Sequence, residues 1–304
     1  MSTKTTSAAL FSPELVKSMF SKVKGHSSLA KLSGSVPVPF AGIDMFVFTM
    51  DGEASIVGEG TNKPAGKAGI SKVSMKPIKF VYQHRVTDEF VKLSEEKQLP
   101  YLESFADGFA KKIARALDIA AFHGVNPADN VASDAVGNNC FDKAVTSIVT
   151  YSEFIPDDNI DSAVAPIQSA DGIVTGVAMS PVFGSALGKM KTKDSNLPIY
   201  PEFRFGANPA TFGGLASDIN NTVSFGQSQD RAIVGDFANM FKWGYAEQIP
   251  LEIIEYGDPD GQGDLKRTNE IVLRSEAYIG WGILDKTSFA IIKEEEKTED
   301  KTGK

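Results

Sequence analysis

Alternation of apolar and polar side chains appears first in two short stretches. Phe46, Phe48 and Met50 alternate with Val47 and Thr49, and Ile78, Phe80, Tyr82, His84 and Val86 alternate with Lys79, Val81, Gln83 and Arg85. A period of two sends successive side chains to opposite faces, so both stretches read as strands. Between them, Asp51 to Gly69 is rich in Gly, Lys and Ala and poor in core-forming side chains. Two strands joined by such an excursion predict an extended β-hairpin whose tip cannot pack on its own domain. The period then changes. In YLESFADGFAKKIARALDIAAFHG, Leu102, Phe105, Phe109, Ile113, Leu117 and Ala120 recur at spacings of three and four, which is the apolar stripe of one helix face. Pro100 is placed to open this helix and Gly124 to close it, for a length of about 35 Å.

The remaining pattern is less regular. FSPELVKSMFSKVKG offers Ser12 as an N-cap, Pro13 at the first helical position and Gly25 just past the end, the punctuation of a short helix. SGSVPVPFAG breaks regular structure. Downstream, PDDNIDSAVAPIQSADG reads as a capped helix that Pro166 should bend or end. GIVTGVAM is a strand running into SPVFGSALGKMK, where Ser180 is the N-cap and Pro181 the first turn. GVNPADNVASDAVGN, TKDSNLPIYPEF and GANPATFGG are loops. RAIVGDF, FKWGYAEQIPLEIIEY and NEIVLRSEAYIGWGIL are strands, the middle one broken near Pro250. KEEEKTEDKTGK is a charged tail expected to be disordered. Strands and helices without regular β-α alternation indicate an α+β fold.

Composition narrows the class. With 304 residues, 42% hydrophobic and 23% charged, the chain can bury a sizeable core. It carries no apolar run near the roughly 20 residues of a membrane span, and its first residues lack a secretory h-region. A single cysteine, Cys140, excludes an intramolecular disulfide framework and fits folding in a reducing cytoplasm. The net charge of −8 is uneven: five lysines against Glu14 in residues 1–33 leave −12 on the rest. An acidic body argues against a dedicated nucleic-acid reader. The basic N-terminus reads either as a solvated amphipathic segment or as a contact for nucleic acid or an acidic partner.

Candidate chemistry is sparse. GEGTNKPAGKAG, Gly58 to Gly69, superficially resembles a phosphate-binding loop, but five residues rather than four separate Gly60 from Gly66-Lys67, and Ala68 stands where a hydroxyl is needed. Pro64 also removes one N–H donor. His26, His84 and His123 have no ligand-type spacing to one another or to Cys140. His84 reads as a core histidine, and His123 as a cation at a helix C-terminus. Asp157, Asp158 and Asp161 read as carboxylates at a helix start. GQSQD, Gly226 to Asp230, lacks the second glycine of a nucleophile elbow. No catalytic, metal or cofactor site is expected.

The order of elements is a basic arm, a glycine-rich hairpin, one long helix, a loop-rich middle and a closing pair of long strands. It resembles the major capsid proteins of tailed bacteriophages with the Hong Kong 97-type fold. SIVGEGTNKP and VSMKPIKFVYQHRVTDEFV resemble the extended loop and its return strand, and FADGFAKKIARALDIAAFHG the spine helix. AIVGDFANMFKWGYAEQIPLEIIE resembles the stretch leading out of the axial domain, and IVLRSEAYIGWGILDKTSFAII the closing strands. The resemblance implies an N-terminal arm at 1–45, the extended loop at 46–80, a peripheral domain with the spine helix at 81–150, and an axial domain at 151–240. Returning strands follow at 241–292 and a disordered tail at 293–304.

It further implies a protein without enzymatic turnover, forming hexamers and pentamers of an icosahedral shell around double-stranded DNA, assembled in the host bacterial cytoplasm. A portal and possibly a decoration protein would be partners. Forty-five residues ahead of the loop are too few for the internal scaffolding segment of many relatives; with Met1 in place, a separate scaffolding protein is expected. Glu59, Thr61, Asn62, Lys63 and Lys67 would lie at the loop tip against a neighbouring subunit. Some members of the family join subunits by an isopeptide bond. The matching residues are Lys63, Lys67 or Lys72 as the amine, Asn269 as the amide and Glu276, seven residues on, as the proton acceptor. An encapsulin-type compartment shell and an α+β enzyme with an unrecognised site are the alternative readings.

Overall fold

The computed structural model describes residues 26–93 and 95–295. The expected helix over Ser12–Gly25 and residues 296–304 of the expected tail lie outside them. In chain order the elements are α1 (Ser28–Leu32), β1 (Ile43–Asp51), β2 (Lys67–Met75), β3 (Ile78–Thr87), α2 (Glu95–His123), α3 (Phe141–Ala144), β4 (Ser147–Thr150) and α4 (Pro156–Ser169). Then come β5 (Gly176–Met179), α5 (Pro181–Lys189), β6 (Thr211–Phe212), β7 (Leu215–Ile219), β8 (Asp230–Gly235) and α6 (Phe237–Met240). The chain closes with β9 (Phe241–Ile254), α7 (Leu265–Thr268), β10 (Glu270–Ile283) and β11 (Phe289–Lys293). None of the described helices is long and apolar enough to cross a membrane.

The strands form a two-stranded sheet β1-β2, a three-stranded sheet β3-β10-β9 and a six-stranded sheet β4-β11-β8-β5-β7-β6. This corrects the expected hairpin. β1 pairs with Lys67–Met75, inside the glycine-rich stretch, from Ile43 opposite Met75 to Asp51 opposite Lys67. The 78–87 strand instead pairs with β10. A ribbon that meets solvent on both faces needs no apolar alternation, so KAGISKVSM hid its strand. Pro77, which has no N–H for a ladder, separates β2 from β3.

Three proline expectations also shift. α2 begins at Glu95, with Pro100 inside it, and its 29 residues span about 43 Å. A proline one turn into a helix forfeits a single hydrogen bond, and Ser104 Oγ donates to its carbonyl at 2.9 Å. α4 likewise runs through Pro166 to Ser169. β9 is continuous across Pro250, because the pairing with β10 shifts there: Ile249 faces Glu276 and Glu252 faces Arg274. The extra residue is a β-bulge on an edge strand, where proline costs least. The expected charged tail also starts later, since Lys293 closes β11 and the Glu294 N–H donates to Gln229 O.

Gly124 ends α2 as the sequence implies. It sits at φ 69, and a Cβ there would come within 2.8 Å of Cys140 Sγ, so only glycine fits. The stripe of α2, including Phe109 and Leu117, is fully buried against β3, β9 and β10. A second core lies among α4, α5 and the six-stranded sheet, around Phe183, Leu187 and Ile167. The middle strands of that sheet serve both: Ile233 and Ile291 point into the first core, Ala232, Val234, Ala290 and Ile292 into the second. Trp281, also fully buried, is satisfied by reciprocal bonds with the Asn139 backbone carbonyl and side-chain amide, each 2.9 Å.

Candidate functional site

The β1-β2 hairpin is held only at its base. Met75 is buried, and a Cβ on Gly282 of β10 would lie 2.8 Å from Met75 Cγ and 3.1 Å from Val73 Cγ1. The glycines of YIGWGIL thus open a slot in which the ribbon is seated. The arm ahead of β1 uses the same device: the Val36 N–H donates to Trp243 O at 2.8 Å, and no side chain would fit on Gly244 beneath the Val36 carbonyl.

Beyond the base, the ribbon carries apolar side chains into solvent. Phe46 and Phe48 share one face with Lys72 and Ile70, their cross-strand partners. Phe46 and Ile70 are each 70% exposed and Ile56, in the loop, is completely so. On the same face Asp44 pairs with Lys72 at 2.7 Å and accepts from Ser74 Oγ at 2.6 Å. Glu59, Thr61, Asn62, Lys63 and Lys67 are all exposed. A turn over Gly58–Thr61, with Gly60 at φ 81, closes on bonds from Thr61 N–H and Oγ1 to Gly58 O.

The lysine, asparagine and glutamate are not brought together within one chain. Asn269 terminates α7 in a left-handed conformation at φ 54, and its carbonyl accepts from the Asp88 N–H. Glu276 lies seven residues further along β10, about 23 Å at strand rise. Its carboxylate is buried and bonded to Lys79 Nζ at 2.8 Å. That bond raises the Lys79 ammonium above its ordinary value. Sequence reading missed this partner, because it required the register of β3 on β10, where Glu276 faces Val81.

A second exposed apolar region decorates the six-stranded sheet. Phe154 is 82% and Phe205 is 96% exposed. Phe205 has φ 59 and lies under the Arg204 guanidinium, 4.9 Å from the ring centroid. A bulky residue in the left-handed region costs on the order of 1 kcal/mol or more, which marks the loop as one held in a set shape.

Ionic clusters fasten the elements. Arg85 bonds to Asp258, Asp260, Glu270 and the Gly263 carbonyl, gathering the β9-β10 connection. The bonded Arg85 lowers the Asp260 carboxyl to about 2. Asp118 of α2 accepts from Ser27 Oγ, Ser28 N, Leu29 N and Thr222 Oγ1, capping α1 from outside. Burial pushes the Asp118 carboxyl up to about 6 despite those donors.

Two histidine readings change in detail. His84 is half-buried rather than a core residue; its Nε2 bonds Tyr101 OH at 2.8 Å and its ring packs on Phe105. Its partial burial lowers its pKa. His123 answers less to the helix dipole than to two carboxylates, with Nδ1 at 2.9 Å from Asp142 and 3.6 Å from Asp230. These three offer ligand atoms within 4.8 Å of one another, although the sequence separates them so widely that no spacing signal exists.

Residues 8–293 match the phage capsid family. Among solved structures, one from Mycobacterium phage Ogopogo is 30% identical, covers 89% of this chain and 92% of its own, and superposes with a TM-score of 0.78. One from Gordonia phage Cozz is 24% identical over 89% and 87%, with a TM-score of 0.74. A third, the capsid of a native GTA particle computed with C5 symmetry, is 14% identical over 88% and 90%, with a TM-score of 0.60. The last two show likeness of fold alone. No curated protein sequence matches.

Proposed function

The chain belongs to the phage capsid family and is a structural, non-enzymatic major capsid protein of the α+β Hong Kong 97-type fold, a self-assembling component of a virion capsid; from that premise we propose that the Ile43–Met75 hairpin is the arm that binds one subunit to the next. The observation that carries the proposal is the stripe of Phe46, Phe48, Ile70 and Ile56, apolar and exposed on an element with no core of its own. Each such side chain contributes about 1.5–3 kcal/mol when fully buried, so covering the stripe on a neighbour outweighs the cost of ordering the loop.

In this reading, α2 with β3-β10-β9 forms the peripheral domain, and the six-stranded sheet forms the axial domain. Phe154 and Phe205 then face neighbours around the axis of a hexamer or pentamer. The shell encloses double-stranded DNA contacted weakly, which the acidic body supports, and assembles in the bacterial cytoplasm with separate scaffolding and portal proteins and, where needed, a decoration protein.

The test replaces Phe46, Phe48 and Ile70 together by serine. The subunit should keep its circular dichroism and cooperative melting, because none of the three belongs to either core, while sedimentation shows no shells. Normal shells of unchanged thermal stability would overturn the proposal.

A covalent link is the second reading, favoured by the exposure of Lys63 and Lys67 at the tip. The amine would attack the side-chain carbon of Asn269 on another subunit and expel ammonia. Since Glu276 is far from the Asn269 of its own chain, the proton acceptor would come from a different subunit. Denaturing electrophoresis of mature particles decides: a ladder lost in Asn269→Asp supports the bond, and one band at the 32.7 kDa monomer rejects it.

A further inference from the structure

The last residue of α2, the first turn of α3 and the first residue of β8 converge on one buried point. His123, Asp142 and Asp230 come from these three elements, and none of them has a role in the hairpin. The His123 side chain is 4% exposed, Asp230 is completely buried, and Asp142 is 25% exposed, so the point has one side open to solvent.

The hydrogen bonds define what each atom can do. His123 Nε2 lies 2.9 Å from the Thr222 carbonyl, which can only accept, so this nitrogen carries a proton and donates. The other nitrogen, Nδ1, is thereby aimed at Asp142 Oδ2 and Asp230 Oδ2. A proton on Nδ1 satisfies Asp142, at 2.9 Å. It does not satisfy Asp230, neither of whose oxygens accepts a hydrogen bond. Lys293 Nζ stands 3.6 Å from Asp230 Oδ1, on the far side of the carboxylate, and leaves Oδ2 facing the histidine. A fully buried carboxylate without a hydrogen bond is costly, and such groups pair with cations or hold metals.

We propose that His123 Nδ1, Asp142 Oδ2 and Asp230 Oδ2 form a site for a divalent first-row metal ion of the zinc class. Bonds of about 2.0–2.1 Å in a tetrahedral arrangement set donors about 3.4 Å apart. The distances from Nδ1 to the two carboxylate oxygens, 2.9 and 3.6 Å, bracket that value. One imidazole with two carboxylates suits zinc or manganese better than calcium or magnesium, which take oxygen donors. The Nε2–H bond to a backbone carbonyl is the outer contact that fixes the tautomer of a ligating histidine. Water on the open Asp142 side completes the coordination. On binding, the ion displaces the proton between Nδ1 and Asp142 to solvent. The ion ties the end of the long helix to the six-stranded sheet, stabilising the junction of the two cores.

The experiment uses the full chain, stripped with chelator and then titrated with zinc chloride. Equilibrium dialysis with elemental analysis should find one zinc per chain, and zinc should raise the melting temperature of the stripped protein. Asp142→Asn, at the most exposed of the three ligands and so the variant most certain to fold, should weaken zinc binding by more than the roughly 10–100-fold that loss of an outer contact costs. Asp230→Asn should abolish the zinc-dependent shift. Absence of bound zinc in the wild-type chain overturns the proposal and leaves a proton shared between the carboxylates in its place. A zinc-dependent shift that is the same in Asp142→Asn as in the wild type also overturns it, by placing the metal elsewhere.

Discussion

The ribbon β1-β2 and the sheet β3-β10-β9 are built from similar strands and meet opposite fates. Both contain aromatic and β-branched side chains at a period of two. In the sheet, Leu273, Ala277 and Ile279 of β10 are completely buried beneath α2, so alternation is converted into a core. In the ribbon, Phe46, Phe48 and Ile70 find nothing in their own chain. Alternation therefore specifies a strand with an apolar face, and the presence or absence of a covering helix decides whether that face serves folding or assembly.

The comparison can be broken from the sheet side first. Phe109→Asp is expected to abolish soluble folding, because an unpaired buried charge costs several kcal/mol against a total stability of about 5–15 kcal/mol. Lys111→Glu and Lys112→Glu, on the exposed face of the same helix, should leave cooperative unfolding intact; a soluble Phe109→Asp chain with a sharp melting transition would refute the assignment of faces.

A smaller effect is expected where the two regions meet. Gly282→Val puts side-chain atoms into the space of Met75 and Val73. It should unseat the ribbon at a cost of about 1–3 kcal/mol, the usual range for overpacking. Amide exchange should speed up across β2 more than across α2; equal acceleration in both would show that the ribbon and sheet are one unit.

Removing the tip itself, Glu59–Lys67, should cost the isolated subunit least, since these residues are exposed, while shells fail to form or dissociate at lower temperature. Normal assembly of this deletion, read by sedimentation, would assign the arm no part in the shell.

The pH test concerns the Arg85 clasp. Its Asp260 carboxyl is held at about 2, below the ordinary 3.8. A lowered folded pKa contributes stability above the unfolded value and loses it as pH falls through the folded one. Protection of the 256–264 connection should therefore persist at pH 5 and decline between about pH 4 and 2. Arg85→Met should remove that acid-dependent step, and an unchanged step would assign it to other carboxylates.

What was legible in the sequence followed from where each signal lay. The long helix was visible because Leu102 to Ala120 carry a complete apolar stripe, and Ser180 announced α5 because its cap is local: its hydroxyl accepts from the Phe183 N–H. The order of elements from ribbon to closing strands carried the family. β2 was hidden because a strand wetted on both faces has no alternation to show. The short strands β4 and β7 were hidden because four or five residues are too few for a period. The hairpin tip could be named from composition, but its apolar stripe needed the register that sets Phe48 opposite Ile70. Glu276 could not be matched with Lys79, nor His123 with Asp142 and Asp230, because each pairing depends on packing between distant segments.

The bulge at Pro250 bears on a hazard peculiar to proteins made in many copies. β9 is an edge strand of 14 residues, and a long straight edge invites another chain to add its own strand. Pro250 offers no N–H to such a visitor, and the bulge twists the edge out of line. An incoming strand could zip along only one half of β9 before losing register. The subunit can therefore crowd against its copies without polymerising edge to edge, and association is left to surfaces that fix an angle.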